Sequence, residues 1–280
     1  MILVTGATGN VGSQVVDQLL TQQHPVRVFT RDAAKVARWG DRVEVALGDF
    51  TQAETFAAAL KGVDSVFLMN GTLTPTVFRA LLAAAQAQGR PRIVFLSTLF
   101  VSQSDLAIGQ FHKDKEEALR DSDLSYAVVR AGGFMTNALQ WIGSIRAEGI
   151  VYNAMGSGTI ASIDPADIAA VAVHALTVPV LTETLYEVTG GELLTAEQKV
   201  AILSRVTGKP LRTVPIEPET AVEGMLRNGL PPQVAGAVAQ SMAAIRDGRA
   251  TQMTDTVRRI TGRAPRTFEA WAQEHAAQFS

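Results

Sequence analysis

Short apolar runs alternate with longer stretches in which apolar residues recur every three or four positions. Ile2-Leu3-Val4, Val26-Arg27-Val28-Phe29-Thr30, Val43-Glu44-Val45-Ala46-Leu47, Ser65-Val66-Phe67-Leu68, Arg92-Ile93-Val94-Phe95-Leu96 and Leu124 to Arg130 predict six strands. Between them, Val11, Val15, Val16, Leu19 and Leu20, then Val77, Leu81 and Leu82, lie at helical spacing, and His112 to Leu119 reads as a helix with charge on its exposed face. Alternation sustained through Arg130 predicts a parallel sheet with right-handed crossovers.

Local signals mark the helix starts. Asp32 is placed to cap a helix from Ala33, Thr74-Pro75 supplies a cap and an N1 proline, and Thr51-Gln52-Ala53-Glu54 and Thr195-Ala196-Glu197-Gln198 read as capping boxes. Asp164-Pro165-Ala166-Asp167 opens a further helix, with both aspartates read as caps. From Ala131-Gly132-Gly133-Phe134 onward the character changes. A short strand is expected over 159–163, a late sheet strand at Tyr186-Glu187-Val188, and a mostly helical remainder. The fold class expected is α/β: a doubly wound parallel sheet of Rossmann type over residues 1–150, which also receives a strand and helix from about 160–188, with a smaller, mostly helical substrate lobe over 151–280.

The first strand breaks into Gly6-Ala7-Thr8-Gly9-Asn10-Val11-Gly12, three glycines spaced three apart, directly before a helix. In that context Gly6 permits the turn, Gly9 a close approach of backbone to a diphosphate, and Gly12 close packing of helix on strand. The free N–H groups at the helix start, with Thr8, Asn10 and Val11 around them, then face phosphate. The alternative is a glycine-rich turn without a ligand, and the strand–turn–helix context favours a dinucleotide.

Ligands of doubly wound sheets sit beyond the carboxyl ends of the strands, which selects the remaining candidates. After the second strand comes Arg31, suited to a 2′-phosphate if Asp32 caps the next helix, so NADP(H) is expected over NAD(H); a solvated surface arginine is the alternative. After the third come Asp49 and Phe50, where Asp49 is either an acceptor for the adenine amino group or a turn aspartate. Met69, Asn70 and Gly71 follow the fourth strand, and Ser97 and Thr98 the fifth, with hydroxyls that reach the nicotinamide end or satisfy local backbone. Phe100, Phe134 and Trp141, with Met135, Met155 and Met225, are candidates for an apolar substrate wall or ordinary core.

At 280 residues and 47% hydrophobic composition the chain can bury a large core. A formal net charge of −2 with scattered cations points away from nucleic acid and anionic membranes as obligatory partners. The absence of cysteine excludes disulfides and thiolate chemistry. A soluble cytoplasmic protein is expected, acting on a small apolar acceptor, with a homo-oligomer or a regulatory protein partner also compatible with the chain. No metal site is expected.

Val4-Thr5-Gly6-Ala7-Thr8-Gly9-Asn10-Val11-Gly12, the His112 helix, Val129-Arg130-Ala131-Gly132-Gly133-Phe134-Met135-Thr136-Asn137, Asp167-Ile168-Ala169 and Tyr186-Glu187-Val188-Thr189-Gly190-Gly191 resemble the NmrA-like branch of the atypical short-chain dehydrogenase/reductases. The resemblance spans nearly the whole chain, to Thr267-Phe268-Glu269-Ala270-Trp271. It implies a Rossmann NAD(P)-binding domain and either NADPH-dependent reduction of quinones, dyes and related apolar acceptors or a redox sensor that binds the dinucleotide without chemistry. A sugar-nucleotide epimerase is the weaker third reading. The Tyr-x-x-x-Lys pair common in short-chain dehydrogenases is missing: Tyr126 precedes Arg130 at that spacing, but on a strand four residues span roughly 13 Å. By the family pattern His112 stands where that lysine would, four residues before Glu116. That implies a cofactor or substrate contact with acid catalysis as its sharpest form, against a plain helix-start residue paired to Glu116.

Overall fold

The computed structural model describes residues 1–69 and 73–280, so the expectations for Asn70 and Gly71 lie outside the described residues. The strands are, in chain order, β1 (Ile2–Thr5), β2 (Val26–Thr30), β3 (Glu44–Leu47), β4 (Ser65–Met69), β5 (Arg92–Thr98), β6 (Tyr126–Ala131), β7 (Ile150–Asn153), β8 (Leu185–Val188) and β9 (Arg212–Pro215). Seven of them form a sheet in the order β3-β2-β1-β4-β5-β6-β8, with every pairing parallel. The order reverses between β1 and β4, so the crevice of a doubly wound sheet opens above their carboxyl ends.

The helices are α1 (Asn10–Thr21), α2 (Ala53–Ala59), α3 (Pro75–Ala87), α4 (Ala107–Arg120), α5 (Ile142–Glu148), α6 (Pro165–Thr177), α7 (Ala196–Thr207), α8 (Pro218–Arg227), α9 (Pro232–Arg246), α10 (Thr256–Thr261) and α11 (Phe268–Phe279). Because both faces of the sheet are covered, its strands are apolar at successive positions. Val4, Val28, Phe67, Val94 and Val129 pack towards α1 and α6. Leu3, Phe29, Val66, Phe95 and Val128 pack towards α2, α3 and α4. A third core, with Met135, Ile145, Val151, Leu203, Phe268, Trp271 and Phe279, holds the later elements together.

Several expectations change. The segment 159–163 forms no strand, only isolated bridges from Phe134 to Ile163 and Ile160 to Leu194. Extended structure appears instead at β7 and β9, which pair with each other in parallel far apart in sequence. The capping box at Thr51 does not form. Gln52 is the N-cap of α2, with no side-chain capping bond, because Thr51 turns back to Asp49. His112 is not at a helix start, since α4 begins one turn earlier, at Ala107. Thr74, Asp164 and Thr195 do cap α3, α6 and α7, and Asp32 caps the 3-10 segment Ala33–Arg42 that lies between β2 and β3.

Candidate functional site

The glycine loop is built by backbone contacts that leave no room for side chains. Gly6 has φ +63°, and its carbonyl accepts from the Gly9 N–H at 2.9 Å. A Cβ at Gly12 would stand 2.2 Å from the Gly6 carbonyl oxygen. Gly9 is the N-cap of α1 and brings no side chain to the first-turn N–H groups, which are left without a side-chain cap. Thr5 locks the floor: its hydroxyl donates to the Phe67 carbonyl at 3.0 Å and accepts from the Met69 N–H at 2.9 Å. Met69 is thereby laid across the loop, its Sδ 2.6 Å from where a Gly6 Cβ would be. Asn10 Nδ2 donates to Thr136 Oγ1 at 3.1 Å, joining the loop to the segment after β6. Thr8 is exposed, whereas the Val11 side chain is buried in the core. This cradle, with its uncapped helix, fits a dinucleotide diphosphate.

Beyond β2 and β3 the polar groups are partly committed. Asp32 accepts from the Ala34 N–H, which leaves Arg31 80% exposed with Nη1 3.9 Å from Asp49 Oδ2. Asp49 Oδ1 accepts from the Thr51 N–H and hydroxyl; these bonds, with Arg31 adding to them, hold its carboxyl below the usual range. Asp49 is therefore a turn aspartate through one oxygen while the other faces Arg31. Phe50 packs against Phe29 and Phe56 at centroid distances of 5.1 and 5.7 Å, so its ring belongs to the flank of the core.

At the ends of β5 and β6 a polar chain crosses the sheet. The buried Ser97 hydroxyl donates to Glu116 and is thus turned to the α4 face, to a side chain and neither to the crevice nor to local backbone, the two uses expected of it. Glu116 binds Arg130 at 2.6 Å, and Arg130 reaches Glu187 at 3.5 Å. Thr98 Oγ1 accepts from the Phe100 N–H, so its own proton is available. His112 is not paired to Glu116. Its Nδ1 lies 2.9 Å from the Ile108 carbonyl oxygen, which can only accept, so Nδ1 carries the proton and Nε2 presents a lone pair. Burial lowers its pKa, which keeps the ring neutral at pH 7.

Above these strand ends lies a small cavity of about 40 Å³, lined among others by Thr98, Phe100, Gln103, Gly132, Gly133 and Ile160 and closed by Arg249 and Gln252. The closing segment is pinned from both sides, by Arg249 pairing with Asp105 at 2.6 Å and Gln252 donating to Glu187 at 2.8 Å. Of the three aromatics expected as a substrate wall, Phe100 lines this cavity. Phe134 packs on the α6-side core and Trp141 on the third core, so neither lines it. Met135 is buried in that third core as well. The sequence reading passed over Gln103, Arg249 and Gln252, because no local pattern places 249–252 against a strand 150 residues away; the only cue was the pair of glycines after β6. Among the described residues no cluster of metal-ligating side chains occurs and no helix is long and apolar enough to cross a membrane.

The chain is similar to known proteins in sequence and in fold. A family model described as NAD(P)H-binding matches residues 6–179. Over its whole length the chain is 38% identical to (4-alkanoyl-5-oxo-2,5-dihydrofuran-3-yl)methyl phosphate reductase of Streptomyces griseus subsp. griseus, spanning 99% of that protein. It is 36% identical to NAD(P)H azoreductase of Xenophilus azovorans, again over the whole chain and 99% of the relative. The solved structure of NADPH-dependent quinone oxidoreductase QOR2 from Escherichia coli, complexed with NADPH, superposes with a TM-score of 0.87 at 26% identity, over 98% of this chain and 99% of that one. With the glycine cradle, the seven-stranded parallel sheet and these full-length likenesses together, the chain belongs to the NAD(P)H-binding family, within the NmrA-like atypical short-chain dehydrogenase/reductases.

Proposed function

We propose that this protein is an NADPH-dependent reductase that passes hydride to a small quinone-like or other apolar conjugated carbonyl acceptor. The observation that carries the reading is the side-chain-free glycine loop at the end of β1, with the exposed Arg31 beyond β2 on one side of it and the cavity at the ends of β5 and β6 on the other. The names of the relatives, a reductase of an oxo-dihydrofuran phosphate, an azoreductase and a quinone oxidoreductase, support a conjugated, electron-poor acceptor.

The reduced nicotinamide supplies the hydride when bound, and the residues of this chain supply position. The first-turn N–H groups of α1 would hold the diphosphate, and Arg31, exposed beside Asp49, would hold the 2′-phosphate. Neutral His112, with the Nε2 lone pair free, would accept a hydrogen bond from a ribose hydroxyl of the bound dinucleotide. With its Nδ1 proton committed to Ile108, it is a positioning residue and not an acid. Thr98, whose hydroxyl proton is free, bonds the acceptor oxygen as charge develops there. Phe100 and Ile160 exclude water from that point. Electron-poor acceptors take hydride with modest proton assistance, which suits a site lacking the tyrosine–lysine pair.

The test is absorbance-monitored consumption of NADPH with a panel of quinones, aldehydes and azo dyes, alongside dissociation constants for NADPH and NADH. Turnover with a quinone or azo compound and tighter binding of NADPH are expected. Tight NADPH binding with no turnover on any acceptor overturns the reductase reading in favour of a dinucleotide-sensing regulatory protein.

A further inference from the structure

We infer that Met69 is an oxidation site that switches dinucleotide binding off, with its thioether sulfur as the oxidised atom and a peroxide as the oxidant. The inference rests on dinucleotide binding at the glycine loop and is independent of which acceptor is reduced.

The position is held by the backbone. Met69 ends β4, its N–H is fixed to Thr5 Oγ1 at 2.9 Å, and its side chain is half-buried, packed on the edge of the core on the α1 and α6 side and against the loop. The sulfur stands 2.6 Å from the site of a Gly6 Cβ and 3.9 Å from that of a Gly9 Cβ. It therefore lies on the side of the loop that the missing Cβ atoms leave open, where the diphosphate passes. Met135, by contrast, is sealed in the third core with 2% exposure.

The chemistry is oxygen-atom transfer. The sulfur lone pair attacks one peroxide oxygen, the O–O bond breaks and an S=O bond forms; with hydrogen peroxide the proton on the transferred oxygen passes to the departing oxygen, which leaves as water. Sulfur loses two electrons and the peroxide gains them, so no further reductant enters. The product is a polar, strongly hydrogen-bond-accepting group in place of an apolar one. Because the sulfur already touches Gly6, its new oxygen has two places to go. Directed into the crevice, it competes with phosphate oxygens for the first-turn N–H groups of α1; directed at the loop, it pushes Gly6 and Gly9 out of the cradle. Both weaken dinucleotide binding. A bound dinucleotide also covers the sulfur, so oxidation selects the unliganded protein, which prevails when the dinucleotide is scarce.

Purified protein is treated with hydrogen peroxide, with and without saturating NADP+, then digested for peptide mass spectrometry, and its NADPH affinity is measured by fluorescence titration. The expected results are one added oxygen on the Met69 peptide, suppressed by NADP+, and an NADPH dissociation constant raised by about tenfold or more, restored by methionine sulfoxide reductases. The Met69→Leu protein, whatever its starting affinity, is expected to keep that affinity through the same treatment. The inference is overturned if Met69 gains oxygen equally fast with NADP+ present, if the oxidised protein binds NADPH as before, or if Met69→Leu loses affinity as the wild type does. Failure of untreated wild-type protein to bind NADPH would instead remove the dinucleotide reading on which all this stands.

Discussion

Lys115 Nζ lies 2.8 Å from the centroid of the Phe111 ring and donates to the Phe111 carbonyl at 3.2 Å, one turn back on the same helix. The side chain is fully buried, and among the described residues it makes no ion pair with a carboxylate. The aromatic face and one carbonyl only partly replace water, so burial pushes the lysine down to about 7, with Asp114 opposing the shift. Between about 7 and the ordinary value of 10.5 the unfolded chain binds more protons than the folded one. Stability is therefore expected to rise with pH through that window, and the cost of charging Lys115 is fully present below it. Lys115→Met is expected to stabilise the protein at pH 6 to 7 by roughly 1–3 kcal/mol, with the gain over wild type fading towards pH 10. Urea denaturation of both proteins across that range checks it; a pH-independent difference contradicts it.

Arg31 and Asp49 face each other at 3.9 Å across the ends of β2 and β3. An arginine this exposed gains little from one carboxylate and turns readily to a phosphate. Arg31→Ala is expected to raise the NADPH dissociation constant by about tenfold while leaving NADH within about twofold. Equal losses for both dinucleotides would show that Arg31 does not read the 2′-phosphate.

Two glycine-to-alanine changes are expected to act in opposite directions. At Gly12 the added Cβ would meet the Gly6 carbonyl oxygen at 2.2 Å and its carbon at 2.6 Å, both backbone atoms with nowhere to go. Gly12→Ala should cost about 2–4 kcal/mol and abolish NADPH binding. Gly236 lies inside α9 with nothing within 4 Å of a Cβ, and Gly236→Ala should stabilise by about 0.5–1 kcal/mol. Thermal unfolding of the two variants, with NADPH titration of the first, gives both answers.

What was legible in the sequence was what is local. The strands alternate with helices because burial on both faces makes β1, β4 and β5 apolar at successive positions, and Asp32, Thr74, Asp164 and Thr195 cap because the N–H groups they satisfy lie within three residues. Thr51 reads as a cap on the same grounds, yet Asp49, two residues upstream, competes for its hydroxyl and N–H and prevails. Ser97 stands at the expected strand end, but its hydroxyl is taken by Glu116, which arrives on α4 as part of a chain to Arg130 and Glu187. The pairing of β7 with β9 and the closing of the cavity by Arg249 and Gln252 are contacts between distant segments, and periodicity carries no trace of them. Local propensity names the elements; long-range competition for the same polar groups decides which side chains remain free for a ligand.

Asp167 shows the same competition in a form that can be weighed. It sits in the first turn of α6, as a cap reading expects, but its carboxylate instead accepts from the Arg266 N–H at 2.7 Å and pairs with Arg263 at 2.7 Å. The N-cap Asp164 in turn pairs with Arg266 at 3.3 Å, so the two aspartates clasp the segment that leads into α11. The side chain of Asp167 is fully buried, whereas Arg263 is 47% exposed. Removing one partner leaves the other with very different alternatives. Without its carboxylate, Arg263 turns to water. Without Arg263, the Asp167 charge stays buried with a single N–H donor, and stranding a buried charge is the expensive case. Arg263→Ala is therefore expected to destabilise by about 2–4 kcal/mol, and Asp167→Asn, which keeps an acceptor for the Arg266 N–H, by about 1–2 kcal/mol. Loosening of the clasp should also speed proteolytic cleavage near 262–266 in both variants, in the same order. Denaturant unfolding and limited proteolysis read the two quantities separately. If Asp167→Asn proves the more damaging in both, the clasp owes its strength to the pair itself and not to the burial of its acidic half.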